Sequence, residues 1–163
     1  MIFAPRGGRL PAIAFLTALI GICGSARAEL PLCSGASTPN RLKLEIVGLR
    51  STDGQLAITL YGDDPSRFLS RGGSLGVHRQ PVEAPTSHAC IALPDAVGAY
   101  AVTVYQDLNR DGAFNRNLFG PTEPWGLSND PPTILGIPSF KSVRFTTHPG
   151  DNVIRIRIRS PKG

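Results

Sequence analysis

Asp107, Asn109 and Asp111 occupy alternate positions of the run Asp107-Leu108-Asn109-Arg110-Asp111-Gly112, and this D-x-N-x-D-G spacing is what a hard cation asks of a loop. Oxygens at every second residue converge when the glycine turns the backbone sharply back around them, and Ala113 can add its carbonyl. The second half of a calcium loop does not follow. Leu118 stands where a helix-loop-helix site has its bidentate glutamate, so Glu123 is the only acid near enough to complete the set, with Asn115 or Asn117 as neutral helpers. The ion expected on Asp107, Asn109, Asp111 and Glu123 is calcium, bound weakly at about 0.1 to 1 mM and ordering the loop without doing chemistry. The same residues support a plainer reading, in which aspartates and asparagines bond their own backbone two residues on and cap turns.

Catalysis finds little to stand on. Asp107, Asp111 and Glu123 could form a carboxylate cluster for glycoside chemistry, but carboxylates this close to a turn glycine more often hold a cation or cap the turn. There is no H-E-x-x-H, and no histidine stands beside a plausible nucleophile. His78, His88 and His148 have no partner at a metal-ligand spacing and are expected as exposed loop residues. The expectation is a protein that is not an enzyme.

The loop is delivered by an exported chain. Arg6 and Arg9 precede an uncharged apolar run from Leu10 to Cys23, and Ala26-Arg27-Ala28 precedes Glu29, which together read as a secretory signal over residues 1–28 cleaved after Ala28. The run is too short for a comfortable membrane span, so no transmembrane segment is expected after cleavage, and bulky Ile22 before Cys23 speaks against an acylated cysteine. The formal charge of +5 then shrinks, because losing Arg6, Arg9 and Arg27 leaves 14 basic against 12 acidic residues. A nucleic-acid binder would keep a strong basic face and interleaved aromatics, and over most of its length this chain keeps neither. Residues 29–40 form an N-terminal tail and 41–160 one domain, long enough to bury a core. Cys33 and Cys90 are the cysteines left after processing, and an oxidising compartment favours joining them; the alternative is two buried thiols. The location expected is periplasmic or extracellular.

The elements that must hold the loop have period two. Leu42, Leu44 and Ile46 alternate with Lys43 and Glu45, and after a turn over Gly48 to Gly54 the residues Leu56, Ile58 and Leu60 alternate again, predicting two strands paired as an antiparallel hairpin. Gly62 to Ala89 loses periodicity and reads as a long connection anchored by Phe68 and Leu69. Tyr100 to Tyr105 is a strand with Tyr100, Val102 and Val104 on one face, and Tyr100 near Asp95 suggests either a tyrosine corner or a plain strand start. Thr133 to Ile137 is at best an edge segment between prolines, and Val143 and Phe145 read as a strand. Ile154, Ile156 and Ile158 alternating with Arg155, Arg157 and Arg159 make a last strand with a cationic outer face, either a solvated edge that resists aggregation or a surface for an anionic partner. The fold class expected is all-β: an antiparallel β-sandwich, immunoglobulin-like or prealbumin-like, with one long ordered loop.

The stretch from Gly98 to Asn129 carries G-x-Y-A-V-x-V-Y, then D-x-N-x-D-G, then Asn117, Gly120, Pro121, Glu123, Gly126, Ser128 and Asn129. It resembles a bacterial family of exported proteins known as a domain of unknown function, number 2141, over about residues 40 to 160. The chain departs from that pattern in having Gln106 where a histidine is common, Asn115 where an aspartate is common, and one residue fewer between Gly120 and Pro121. The resemblance implies a small exported β-sandwich domain and no particular activity. The function expected is a non-enzymatic exported module that binds an envelope or extracellular partner through loops at one end of the sandwich; the alternatives are a structural envelope protein without ligand, or a carbohydrate-active enzyme.

Overall fold

A computed structural model describes residues 33, 40–95, 97–132 and 138–161, so the predicted signal over 1–28, most of the tail over 29–40 and the edge segment over 133–137 lie outside the described residues. Among the described residues ten strands and one four-residue helix account for the regular structure, and the fold is all-β as the periodicity predicts. β1 (Asn40–Val47) lies between β10 (Gly150–Arg157) and β4 (Thr86–Ala92) in one sheet. The other runs β3 (Gly76–Gln80), β2 (Gln55–Tyr61), β5 (Ala99–Asp107) and β8 (Trp125–Leu127), with β9 (Phe145–Thr146) also on β5. Every pairing is antiparallel except β1 with β10, which run parallel from Asn40↔Gly150 to Val47↔Arg157.

The sheets face each other across one core. Leu42, Leu44, Ile46, Ile91 and Ile156 meet Leu56, Ile58, Leu60, Tyr100, Val102 and Val104, all almost fully buried. β5 is covered on its other face as well. Ala101 packs with Tyr61, Leu127, Phe140 and Val143, and Tyr105 packs with Ala57 and Val77. A strand buried on both faces is the stiffest place in the sandwich from which to launch a loop.

Five sequence expectations are corrected. β1 and β2 do not pair, because the chain between them crosses from one sheet to the other; alternation fixes which face is buried, not which strand lies alongside. Gly62 to Ala89 is not one long connection, since it contains β3 and the start of β4. β3 reads Gly-Val-His-Arg-Gln, whose polar residues hide the period. His78 is therefore no exposed loop residue: it is 6 % exposed, its Nε2 lies 3.2 Å from Gln80 Oε1, and Gln80 donates to the His88 carbonyl at 3.0 Å. Val143 belongs not to a strand but to the short helix α1 (Phe140–Val143), which buries Phe140 and Val143 against β5 and β8; Phe145 alone begins a strand. Of the proposed anchor pair, Phe68 packs edge-on to Tyr61 at 5.2 Å while Leu69 is exposed.

Cys33 and Cys90 are joined, with Cα atoms 5.3 Å apart, and the Cys33 amide donates to the Cys90 carbonyl at 3.3 Å. The bond spans 57 residues of sequence, for which the chain-entropy model gives about 4 kcal/mol. The Tyr100 hydroxyl reaches the Asp95 carboxylate at 3.4 Å, a corner closed by a side chain. Burial raises the pKa of that hydroxyl above its ordinary value, and the negative charge of Asp95 pushes the same way. On the last strand and just beyond it Ile156 and Ile158 are buried, and the arginines are paired: Arg155 with Glu45, Arg157 and Arg159 with Asp130.

Candidate functional site

β5 ends in Gln106 and Asp107, both buried, and these two side chains gather the loops on either side of them. Gln106 Nε2 donates to Ser51 O, Ser51 Oγ and Asp53 O at 3.3, 3.2 and 2.8 Å, pinning the connection that crosses between the sheets. Asp107 is fully enclosed. Its carboxylate accepts from the Asp111 and Gly112 amides at 3.1 and 3.0 Å and from Gln55 Nε2 at 2.9 Å. A carboxylate has about four lone-pair sites, so these donors account for three of them.

Glu123 is the second foot of the loop. It is 3 % exposed, and its two oxygens accept from the Leu108 and Asn115 amides, each at 3.0 Å, so one carboxylate ties the loop's outgoing and returning limbs together. Thr122 N–H to Asn115 O at 3.0 Å and Gln106 N–H to Pro124 O at 2.8 Å complete the closure. Asp111 lies outside on the exposed face, accepting from Asn109 Nδ2, Asn115 Nδ2 and the Ala113 amide at 2.9, 3.0 and 2.8 Å. Those donors hold its carboxyl below the ordinary 3.8, the Asn115 amide contributing most.

The four residues proposed for calcium thus share one loop but divide their labour. Asp107 and Glu123 point inward at backbone amides, while Asn109 and Asp111 cap turns on the surface. Among the described residues no three His, Cys, Asp or Glu side chains come together as a group that could hold a metal ion. An ion at this loop would share Asp107 and Glu123 with the amides that already donate to them.

Beyond this frame the loop projects a two-stranded hairpin, β6 (Arg116–Asn117) with β7 (Gly120–Pro121). Its stem is fastened to the sheet through aromatic contacts: Phe114 packs on Tyr105 with centroids 5.3 Å apart, and the Arg116 guanidinium lies 5.6 Å from the Phe114 ring. Arg79 of β3 donates to the Gly112 carbonyl at 3.2 Å. Turn chemistry is supplied by the flanks. Asn117 Oδ1 accepts from the Phe119 amide at 2.8 Å, and Gly120 takes the positive φ of 128°. The two tip positions, which polar turn formers usually fill, are Leu118 and Phe119, 99 % and 97 % exposed.

Sequence reading treated Leu118 as a missing ligand and did not single out Phe119, Gln55 or Gln106 as a clamp. The available signal was the mismatch of a Leu-Phe pair set between Asn117 and Gly120, where a turn is expected. It also took the chain to lack a G-x-S-x-G, wrongly, since Gly72-Gly73-Ser74-Leu75-Gly76 has that spacing of a nucleophile elbow. That motif needs a strand leading through the serine into a helix, whereas here turns lead through Ser74 into edge strand β3.

Compared with known families, the chain matches the model described as an uncharacterized protein conserved in bacteria, domain of unknown function 2141, over residues 44–155. No curated protein and no solved structure matches.

Proposed function

The chain belongs to this bacterial family, and from that membership and the geometry of its loop we propose that it is an exported, non-enzymatic module that engages an envelope or extracellular partner through the β6–β7 hairpin. The observation that carries this reading is the tip: two large apolar side chains, almost wholly exposed, on a hairpin whose base is fastened by two buried carboxylates. Burying a leucine and a phenylalanine is worth about 1.5–3 kcal/mol each, and leaving both in water forgoes that gain unless something else covers them. A local turn rule broken at the tip of a well-anchored loop marks a place where function is expected. Export is supported by the Cys33–Cys90 bond, which suits an oxidising compartment. No helix of the described residues is long and apolar enough to cross a membrane.

A photo-crosslinking residue placed at Phe119 in growing cells tests the reading. The expected result is an adduct, to a protein or to a lipid, that disappears when Leu118→Ser is added and does not form from Val153, 70 % exposed on β10. Adducts formed equally from both positions, or from neither, would remove the hairpin from any binding role.

A further inference from the structure

Resting on the reading of the hairpin tip as the contact surface, we infer that its partner is a phospholipid bilayer, entered by Leu118 and Phe119 to the depth of one turn with Arg116 at the phosphate level.

Size decides first between a protein and a membrane. A specific protein interface buries about 800 Å² per partner. A phenylalanine buries about 150–250 Å² and a leucine no more, so this convex tip supplies well under that area. A bilayer asks for less, because it receives a protruding wedge without needing a matched surface around it.

Charge points the same way. From Gly112 to Thr122 the one charged side chain is Arg116, and no acid occurs. Its guanidinium sits over the Phe114 ring on the exposed stem, just behind Asn117, where an interfacial arginine keeps its charge at the headgroups while apolar neighbours go deeper. Of the loop's acids, Glu123 is buried on two amides, and Asp111 lies at the base of the loop, bonded to Asn109, Asn115 and the Ala113 amide and not to Arg116. Among the described residues Arg116 forms no ion pair, and such a cation suits lipid phosphates. Part of the backbone need is met, since Arg116 and Asn117 pair with Pro121 and Gly120 and the Phe119 amide donates to Asn117 Oδ1, so a shallow entry leaves the remaining tip groups at the hydrated headgroups.

Flotation with vesicles of phosphatidylcholine alone, and with about one third phosphatidylglycerol, tests the inference on the purified protein. The wild type is expected to float with both and more with the anionic vesicles. Leu118→Ser/Phe119→Ser, whose melting temperature should be unchanged because neither side chain is buried, is expected to lose binding about tenfold or more. Arg116→Gln should reduce the preference for anionic vesicles about fivefold. A wild type that floats with neither vesicle at about millimolar lipid, or a double variant that floats as well as the wild type, overturns the inference. If that failure is accompanied by a crosslink from position 119 to a protein in cells, the hairpin reading stands and only the lipid falls; with no crosslink either, both fall.

Discussion

Asp107→Ala is expected to lower the unfolding free energy by about 2–4 kcal/mol, a large part of the roughly 5–15 kcal/mol that holds a domain of this kind together. The carboxylate accepts from the Asp111 amide, the Gly112 amide and Gln55 Nε2, and its enclosure is complete, so its loss leaves donors turned toward an empty acceptor. Hydrogen bonds to a charged group contribute about 1.5–3 kcal/mol each; relief of the buried charge and relaxation of the loop offset part of the total. Asp107→Asn keeps one oxygen and should recover part of the loss. Urea unfolding of the three proteins checks this. A change below about 0.5 kcal/mol for the alanine variant, the usual range of an inconsequential surface substitution, would mean that the loop is not anchored at Asp107.

The second large effect is expected at Gly54, where the connection from the other sheet runs against the root of the loop. A Cβ there would lie 2.0 Å from the Asp107 carbonyl oxygen and 2.7 Å from Leu108 Cα, both backbone atoms that cannot swing aside. Gly72 has nearly the same φ, +70° against +69°, but nothing within 4 Å of its Cβ position. The pair therefore separates strain from contact. Gly72→Ala should cost about 1–2 kcal/mol for the left-handed backbone alone, and Gly54→Ala at least about 3 kcal/mol, because two loops must part. Equal losses at the two sites would show that the close approach at Gly54 does not constrain the fold.

These residues also show where sequence reading stopped. Leu42-Leu44-Ile46 and Tyr100-Val102-Val104 announced strands with the correct faces buried, because a period of two fixes a face whatever the neighbour is. Partnership was not legible. That β1 lies between β10 and β4, one parallel and one antiparallel, depends on contacts distant in sequence that leave no mark on the local pattern. β3 escaped because polar His78 and Gln80, in contact through His78 Nε2 and Gln80 Oε1, stand in the sheet in place of an apolar pair. In the loop, D-x-N-x-D-G disclosed that oxygens and a turn were present, but not what they would face. Backbone amides come from every residue and carry no sequence signal, so the bonds from Asp111 and Gly112 to Asp107, or from Leu108 and Asn115 to Glu123, could not be anticipated.

The central claim is that the loop from Asp107 to Glu123 is ordered by its own acids, with no ion required, and so holds the Leu118–Phe119 tip in place. Hydrogen exchange at the Leu108, Gly112 and Asn115 amides of chelator-treated protein tests it most directly, since each donates to Glu123 or Asp107 at 3.0 Å. Slow exchange at all three, unchanged by several millimolar calcium, is the predicted result. Exchange at the rate of an unfolded peptide, with protection appearing only when calcium is added, would contradict the account and return Asp107, Asn109, Asp111 and Glu123 to the role of metal ligands.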